Sequence, residues 1–470
     1  MNKKVVVLSV LCIVLAAVGF YLYLQPATPA SSDINIDPDE KDPAVWGEIY
    51  PDHYDTHMMT AEGGTDHSKY RGSDDWDRLS GWPFQFVLME GWGMGTDYRM
   101  SRGHVHALYD QLHIHESRRA GGGACLTCKS PYVPDLQEEM GIDYYRLPYD
   151  EVHNQIPEEH QELGISCVDC HDGESIQEDP KALSLGISRQ ELIDALESMG
   201  KDTDNLTTQE KRSLVCAQCH VDYAMPKDEE GRSVDVLFPW RKAEWEEITI
   251  EAIVEQTRED ELYEWEHAVT GMDMGHIRHP EFELYSNNST HWEAGLSCAD
   301  CHMPNKDIGK NKITDHQATS PLKKDLEACV SCHDQSTEKL RERIFDIQDR
   351  TNHTYTRAGF AAAEAAKAIE MANETEGIDE ELLDKAKNYY EKAYYFITII
   401  GAENSMGFHN PSESMRVLSD GLNYARKSES YSRQALQKAG VNPPDEFDLE
   451  LDRYDYDPDE DRSKLMYQDY

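Results

Sequence analysis

The sequence predicts a mainly α protein in which an irregular, loop-rich lobe precedes long C-terminal helices. After Ser336 the composition becomes rich in Ala, Glu, Lys and Leu, with the periodicity of long helices. Before Ser336 the segments are uneven and rich in turn residues, and none shows the alternation of a strand. Five C-x-x-C pairs recur there without a fixed period, which excludes a solenoid.

Glycine residues mark the ends of the predicted long helices. Gly377 separates the first helix from the second, and a glycine-containing segment from Gly401 to Gly407 separates the second from the third. Gly440 ends the third helix. We expect these helices to cover the preceding lobe, to form a subunit interface, or both. The long helices are predicted at 337–372, 379–401 and 412–440, and shorter helices at 189–200 and 242–257.

Composition divides the chain into five segments. They are expected to be an N-terminal anchor or signal segment, a polar tether, a lobe that carries the cysteine motifs, a long-helix region and an acidic tail. In the same order, their boundaries are 1–30, 31–75, 76–335, 336–440 and 441–470.

An uncharged apolar run of 20 residues at 5–24 follows Lys3 and Lys4. Its length suits a membrane-spanning helix better than the shorter apolar core of a secretion signal. The lysines keep the N-terminus in the cytoplasm. We therefore expect an uncleaved anchor with the body of the protein on the periplasmic side. A cleaved signal peptide that ends near residues 27–31 is the alternative.

The chain is strongly acidic, with 90 acidic and 45 basic residues and a net charge of −45. This charge excludes nucleic acid as a partner, because phosphates would be repelled. One interpretation is simply a well-solvated surface. The other is a halophilic protein, since concentrated salt screens the repulsion among the carboxylates.

Ten of the 11 cysteines form C-x-x-C pairs, and the eleventh, Cys12, lies in the apolar run. A histidine directly after the second cysteine is typical of haem c, because two thiols attach the haem and the next residue ligates its iron. Zinc ribbons and disulfide frameworks do not require that histidine. The sequence therefore predicts a multihaem c-type cytochrome with five haem c groups. The attachment cysteines are Cys125 and Cys128, Cys167 and Cys170, Cys216 and Cys219, Cys298 and Cys301, and Cys329 and Cys332.

Four motifs supply a histidine as the proximal iron ligand, whereas the first motif, CLTCK, supplies Lys129. An ammonium group cannot ligate iron, so a ligating lysine has to be held deprotonated by burial and by the metal. We expect Lys129 to ligate the first haem. The alternative is that this iron takes a ligand from elsewhere in the chain. The four proximal histidines are His171, His220, His302 and His333.

A C-x-x-C-K motif followed by four C-x-x-C-H motifs resembles the ammonia-forming cytochrome c nitrite reductases, a pentahaem family. The similarity runs from about Gly103 to His409 and includes the stretches CAQCHVDY, HPEFE, CHMP and TDH. It implies a lysine-ligated catalytic haem with an open distal face, four haems with two histidine ligands each, and a homodimer packed through the C-terminal helices.

The resemblance also implies roles for individual residues. Tyr223 and His279 match the distal tyrosine and histidine of the family, and Arg119 fits the distal arginine best. The spacing from this arginine to the first motif is shorter than usual, so Arg118 remains the alternative. The second ligands of the other four haems are expected to be His104, His291, His316 and His409.

Several histidines lie outside this set. His106, His113 and His115 crowd His104 and leave its assignment open. The remaining histidines are expected at the surface: His53, His57, His67, His153, His160 and His353.

Many members of this family hold calcium beside the active site, and the corresponding positions here are Asp222, Arg278 and the backbone carbonyl of His276. A guanidinium group has only donors and cannot ligate a cation. We therefore expect no calcium, with the Arg278 guanidinium in its place and paired with Asp222. The alternative is that Arg278 points to solvent and the site is empty.

By resemblance, the expected activity is the six-electron reduction of nitrite to ammonium. The implied electron donor is a membrane quinol dehydrogenase or another cytochrome. Two alternatives remain: an electron-transfer cytochrome in which the Lys129 haem has a sixth protein ligand, and a related reductase of hydroxylamine or sulfite.

Overall fold

The computed structural model describes residues 36–63, 67–70, 76–99, 102–119, 121–178, 183–245 and 247–454. The predicted anchor at 5–24, the alternative cleavage site near 27–31 and the end of the acidic tail lie outside these ranges. Within them, no helix is both long enough and apolar enough to cross a membrane.

The described residues form a mainly α fold, as predicted, built from many short helices and three long ones. The short helices lie before residue 337 and the long ones after it. The helices are α1 (Pro43–Gly47), α2 (Pro51–Met58), α3 (Arg78–Gly81), α4 (Phe84–Leu88), α5 (Ala107–Leu112), α6 (Val133–Met140), α7 (Ile142–Arg146), α8 (Tyr149–His153), α9 (Ser175–Glu178), α10 (Gln190–Ser198), α11 (Thr208–Ala217), α12 (Ile250–Glu259), α13 (Glu281–Ser286), α14 (Thr290–Glu293), α15 (Cys298–His302), α16 (Glu327–Val330), α17 (Thr337–Asn373), α18 (Glu380–Ala402) and α19 (Pro411–Lys438).

The described strands form two small antiparallel hairpins. In the first, β1 (Trp265–His267) pairs with β2 (Met272–Met274), and Trp265 lies opposite Met274. In the second, β3 (Asn305–Ile308) pairs with β4 (Asn311–Thr314). The first hairpin matters for the site, because it brings the residue before β1 next to the segment after β2.

The three long helices begin and end within two residues of the predicted limits. Each begins at a side chain that accepts a hydrogen bond from the first turn. Ser336 accepts from the Lys339 N–H, and Asp379 and Asn410 cap α18 and α19 in the same way. Local sequence therefore defines these helices well.

Small side chains allow α17 to pack closely against its neighbours. Its buried face consists mostly of alanine, and Gly359 lies directly against the ring of Phe84. The buried tyrosines Tyr355, Tyr390 and Tyr394 fill the spaces between α17, α18 and the motif lobe, which is our name for residues 76–335. Side-chain packing therefore holds this helical region (residues 336–440) together.

The predicted polar tether at 31–75 is wrong for residues 36–61, which are folded. Asp42 caps α1, and Trp46 is buried against Ile36, Ile176 and the first cysteine of the second motif. The Ser166 hydroxyl donates to the Lys41 carbonyl at 2.6 Å. A few apolar residues anchor this otherwise polar segment to the lobe.

The predicted acidic tail, which is described up to residue 454, packs against the rest of the protein. Phe447 is buried, and the Lys367 ammonium lies 2.6 Å from the Glu450 carboxylate. Arg453 pairs with Glu90 of the motif lobe. Phe447 and Glu450 therefore hold the segment along the long helices, while its other acidic side chains up to residue 454 are exposed.

The two shorter predicted helices differ in accuracy. The helix predicted at 189–200 is α10, whereas the one predicted at 242–257 begins only at Ile250. Thr249 accepts a hydrogen bond from the Ala252 N–H and caps α12 there. The preceding residues form turns instead.

Candidate haem-binding and active site

A cavity of about 2400 Å³ runs through the motif lobe. All ten paired cysteines line it, and so do Lys129 and all eight predicted histidine ligands. Residues that lie more than 300 positions apart in the chain therefore face one continuous space. The main hydrophobic core joins the long helices to the adjoining part of the lobe, and smaller separate clusters lie elsewhere in the lobe.

Each cysteine motif forms a tight helical turn. The N–H of His171 donates to the Cys167 carbonyl at 3.0 Å, and His220 and His333 make the same bond within their own motifs. The Lys129 N–H bonds to the Leu126 carbonyl at 2.7 Å. This turn brings two thiols and the following side chain towards the cavity, as attachment of a haem requires.

The thiols do not form a zinc site or disulfides. The ten cysteines in the described ranges are unbridged. Among the same residues, no three His, Cys, Asp or Glu side chains converge as a metal ion would require. The zinc-ribbon and disulfide interpretations therefore have no support in the geometry, whereas a macrocycle attached through two separated thiols fits it.

Each of the four motif histidines faces one of the four histidines predicted as a second ligand. A metal–imidazole bond is about 2 Å long, and the ring centre lies about 1 Å beyond the nitrogen, so two rings on one ion are about 6 Å apart. The observed spacing matches this value. The distances between ring centres are 6.3 Å for His104 and His220, 6.0 Å for His171 and His316, 6.2 Å for His302 and His409, and 6.3 Å for His291 and His333.

Burial keeps several of these imidazoles neutral, the form that binds metals. It lowers the pKa of His104 to about 3 and the pKa values of His302 and His316 to about 4. Of the competing residues near His104, only His113 also lines the cavity, and its Nδ1 contacts the Tyr109 carbonyl at 2.7 Å. The geometry favours His104 as the partner of His220.

Three histidines that we expected at the surface are not there. His53 and His57 of α2 line the cavity, and the His53 ring lies 5.0 Å from that of His316. His153 is buried, with its Nε2 bonded to the Gln161 carbonyl at 2.7 Å. His53 and His57 line the cavity because the fold of residues 36–61 places α2 over the second motif.

The first motif, CLTCK, has a different neighbourhood. Tyr223, His279 and Arg118 line the cavity beside Lys129. The charge of Lys129 acts on His279, and Arg118 lies close enough to act on Tyr223 and on Cys125. A phenol, an imidazole and a guanidinium therefore surround the position where this haem would present its open face.

Arg119, the first choice for the distal arginine, does not line the cavity, whereas the alternative, Arg118, does. Arg119 points away from the cavity, where its guanidinium pairs with Asp150 at 3.0 Å and lies over the Tyr149 ring. Arg118 lines the cavity, and its Nε has no partner among the described residues. The two residues are neighbours in a short 3₁₀ turn, Glu116–Arg119, so their side chains leave it in different directions.

His279 has a left-handed backbone with φ of 42°, which is uncommon for a residue other than glycine and often marks a functional position. Its Nδ1 is buried without a partner among the described residues. Burial lowers the pKa of His279 to about 3. Burial therefore favours the neutral imidazole at this position.

Arg278 is buried, which excludes the alternative that it points to solvent. Its guanidinium donates to the carbonyl oxygens of Tyr223 (2.9 Å) and His276 (3.3 Å). It also forms a two-pronged pair with the Glu264 carboxylate at 3.0 and 2.7 Å. Asp222 accepts from the backbone N–H of Arg278, at 2.8 Å, and not from its guanidinium.

The predicted pairing of the Arg278 guanidinium with Asp222 is therefore wrong, and Glu264 is the counter-ion. Burial raises the pKa of Asp222 to about 8, so this carboxyl is a poor source of negative charge. Glu264 directly precedes β1, and the β1–β2 hairpin carries it beside Arg278, 14 residues away in sequence. No motif in the sequence marks Glu264.

Related proteins share most of the length of this chain. A cytochrome c-552 from Bacteroides fragilis (strain YCH46) is 33% identical over 408 residues, which are 84% of this chain and 77% of the relative. The cytochrome c nitrite reductase subunit NrfA of Nitratidesulfovibrio vulgaris is 30% identical over 378 residues, 76% of this chain and 69% of the relative.

A solved structure is similar in fold. Cytochrome c nitrite reductase from Desulfovibrio desulfuricans, described with two calcium sites in its catalytic subunit, superposes with a TM-score of 0.76. It is 26% identical, and the match covers 87% of this chain and 90% of the other. The family model of cytochrome c552 matches residues 42–469. With its cysteine motifs around one cavity and a family match over most of its length, this chain belongs to the cytochrome c552 family.

Proposed function

We propose that this protein is an ammonia-forming cytochrome c nitrite reductase that carries out the six-electron reduction of nitrite to ammonium. One observation carries the proposal. Four motif histidines each face a second imidazole at 6.0–6.3 Å, whereas Lys129 faces a pocket with Tyr223, His279 and Arg118. Four positions are built to conduct electrons and one is built to bind a substrate. The relative from Nitratidesulfovibrio vulgaris, a cytochrome c nitrite reductase subunit, supports this reading.

The proposed cofactors are five haem c groups, each attached through one C-x-x-C pair. Lys129 is the proposed iron ligand of the first, and the four histidine pairs are the proposed ligands of the others. When bound, haem supplies electrons and a coordination position for a small ligand. The spacing of the rings, the position of the paired cysteines on the cavity wall and the low pKa of His104 support this assignment.

Positive charge around the pocket suits an anionic substrate. Arg118 and Arg278 line the cavity, and the charge of a third buried arginine, Arg78, reaches His279. This cluster lies in a protein with a net charge of −45. We propose that Arg118 binds and polarises the oxygens of nitrite, because a guanidinium stays charged and donates in a fixed planar geometry.

His279 and Tyr223 are the proposed donors of hydrogen bonds and protons. A neutral imidazole can release a proton from one nitrogen while it accepts another at the second, so the low pKa of His279 is compatible with proton transfer. Burial raises the pKa of Tyr223, and its phenol therefore remains protonated and able to donate.

We also propose that Arg278 replaces calcium. The relative from Desulfovibrio desulfuricans is described with two calcium sites. Here the Arg278 guanidinium donates to two backbone carbonyls and to the Glu264 carboxylate, oxygens that a cation would otherwise attract. A fixed internal cation holds the carbonyl of Tyr223, so the enzyme needs no calcium at this position.

The remaining proposals concern location and partners. We propose an extracytoplasmic enzyme on the periplasmic side, attached through its N-terminal segment and paired as a homodimer through the long helices. Its electron donor is a membrane quinol dehydrogenase or another cytochrome. The exposed side chain of Cys332 supports a haem near the surface, where electrons can pass between proteins.

A nitrite-to-ammonium assay of the purified holoenzyme, with reduced viologen as donor, tests the function. We expect stoichiometric ammonium, and a high-spin EPR signal that changes when nitrite is added. Only low-spin signals and no ammonium would instead indicate an electron-transfer cytochrome. Faster turnover of hydroxylamine or sulfite than of nitrite would indicate a related reductase.

Lys129→His tests the role of the lysine in the same assay. The variant should keep all five haems, because histidine also ligates iron, but nitrite turnover should fall with the change in ligand geometry and basicity. Wild-type turnover would exclude Lys129 from the mechanism.

A further inference from the structure

Several buried nitrogen atoms on the wall of the active-site cavity have no partner among the described residues, and three of them lie in neighbouring segments. They are Nε1 of Trp92, Nε of Arg118 and Nε2 of His276. All three side chains line the cavity. Buried donors are nearly always paired in proteins, so an unpaired set at a cavity wall indicates a bound molecule.

These side chains come from three segments that are packed together. The rings of Trp92 and His276 are 5.9 Å apart. A Cβ at Gly93, the residue after Trp92, would lie 2.6 Å from the Ser117 carbonyl oxygen and 3.1 Å from the Arg118 nitrogen. Glycine is needed here because the loop touches the backbone that carries Arg118. The three nitrogens therefore belong to one part of the wall.

The side chain of His276 is fixed in place by its neighbours. The Gly275 N–H donates to the Tyr395 hydroxyl at 2.8 Å, and the carbonyl of His276 accepts from Arg278. The Nδ1 of His276 lies 3.3 Å from the buried Tyr394 hydroxyl. With the Tyr394 hydroxyl as the donor to Nδ1, the proton of the neutral imidazole is on Nε2.

The ligand that suits such a wall is a small anion. The indole of Trp92 and the Nε of Arg118 can only donate, and the imidazole donates through Nε2. The Arg278 guanidinium adds positive charge, 5.6 Å from the centre of the Trp92 ring. The nearby carboxylate of Asp97 is already occupied by Arg99 at 3.1 Å and by the backbone N–H of His115 at 2.8 Å.

We infer that Trp92, His276 and the Nε edge of Arg118 form an outer nitrite-binding site, next to the distal pocket of Tyr223 and His279. The inference rests on the proposed function, which supplies nitrite as the anion. The site holds nitrite in the cavity before it reaches the distal pocket. Loss of the outer donors should therefore weaken nitrite binding and raise KM, with little effect on kcat.

Calorimetric titration of the oxidised holoenzyme with nitrite, without reductant, tests this inference. Trp92→Phe removes one N–H and keeps an aromatic ring, and we expect about a tenfold rise in Kd, as loss of a hydrogen bond to a charged group gives. Trp265→Phe is the matched control. Its Nε1 is also buried and unpartnered, and its ring lies 6.1 Å from that of Trp92, but it does not line the cavity. This control should bind nitrite like the wild type.

A second pair of variants separates binding from structure. His276→Leu should raise the Kd about tenfold, whereas His276→Gln, whose amide N–H can occupy the position of Nε2, should bind close to normally. Equal losses in both variants would mean that His276 is only structural, and would overturn the inference. Unchanged Kd in Trp92→Phe and His276→Leu would mean that the wall holds water only.

The ammonium assay keeps this test separate from the proposed function. A wild type that makes no ammonium would contradict the function, whatever the titration gives. A wild type that makes ammonium, with variants that bind nitrite normally, would contradict only the outer site. Equal haem content in all variants, measured from their optical spectra, confirms that the comparison is between folded proteins.

Discussion

The helical region and the motif lobe are built in different ways from one chain. In the helical region, three capped helices of 37, 23 and 28 residues pack through buried alanines and tyrosines. In the motif lobe, most helices have fewer than ten residues and surround a cavity of about 2400 Å³. The first region is filled by its own side chains, and the second is shaped to be filled by cofactors.

Because they are packed differently, the two regions should respond differently to substitution. In the helical region, a change of volume away from the cavity wall alters stability and leaves the chemistry alone. In the lobe, changes at the cavity wall alter binding and turnover, because those side chains face the cavity rather than a packed neighbour. The following predictions test this separation, from the largest expected effect to the smallest.

The largest effect is expected in the distal pocket. His279→Asn and Tyr223→Phe should each lower nitrite reduction by about 10²–10⁴, the range for loss of a general acid or base. All five haems and the thermal stability should be retained, since both substitutions are close in size. Normal turnover in both variants would show that the distal pocket has been assigned to the wrong residues.

Arg278→Gln should combine the two kinds of effect. It leaves the Glu264 carboxylate buried without its partner, which typically costs about 3–5 kcal/mol. Activity should fall with stability, and added calcium should restore part of it, because glutamine and Asp222 both offer oxygen ligands.

The matched control for Arg278→Gln is Arg416→Gln on α19. Arg416 pairs with Glu251 at the surface, where such a pair contributes about 1 kcal/mol or less. Denaturant unfolding of both variants gives the comparison. Stoichiometric calcium beside Asp222 in the wild type would refute the replacement.

Variants of Arg118 and Arg119 test which of these two neighbouring arginines acts on nitrite. Arg118→Gln should lower kcat/KM for nitrite by about 10²–10³, as removal of a key donor does in other active sites. Arg119→Gln breaks only a contact with an exposed aspartate and should remain close to wild type. Steady-state assays on both variants decide, and a reversed result would restore Arg119 as the distal arginine.

Gly359→Ala tests the packing of the helical region. The new Cβ would lie 2.2 Å from the ring of Phe84, and overpacking of this kind costs about 1–3 kcal/mol. Turnover per folded molecule should be unchanged, because Gly359 does not line the cavity. Gln434→Ala, at an exposed position of α19, is the control for stability.

The smallest effect should come from salt. With a net charge of −45, screening by molar salt should stabilise the fold by about 1 kcal/mol and raise Tm by about 1 °C. Thermal melts in dilute and molar sodium chloride measure it. An unchanged Tm would argue against adaptation to high salt and would indicate an ordinary solvated surface.

The residues that the sequence placed correctly are those fixed by local pattern. The limits of α17, α18 and α19 follow from caps and glycines, and the cysteine motifs fix the turns that carry the proximal ligands. What the sequence did not reveal depends on distant contacts. Glu264 reaches Arg278 only through the β1–β2 hairpin.

The sequence also does not show in which direction a side chain leaves a turn. Arg118 and Arg119 are adjacent and chemically identical, and only the path of a 3₁₀ turn decides which one faces the cavity. His53 was expected at the surface because its neighbours are polar, and it lies in the cavity wall because Trp46 anchors the whole segment. In both cases, the direction of the side chain depends on the folded backbone, which the residue types alone do not show.

The position of residues 36–61 over the second motif also has a consequence for the order in which the protein folds during synthesis. This segment leaves the ribosome early, but Ser166, which holds Lys41, is synthesised 125 residues later. In the finished protein Trp46 belongs to the same apolar cluster as Cys167. The docked segment therefore packs on apolar surface around Cys167, and it can dock only after residues 166 and 167 have been synthesised. The part of the chain that is made first is thus not the first to reach its final position.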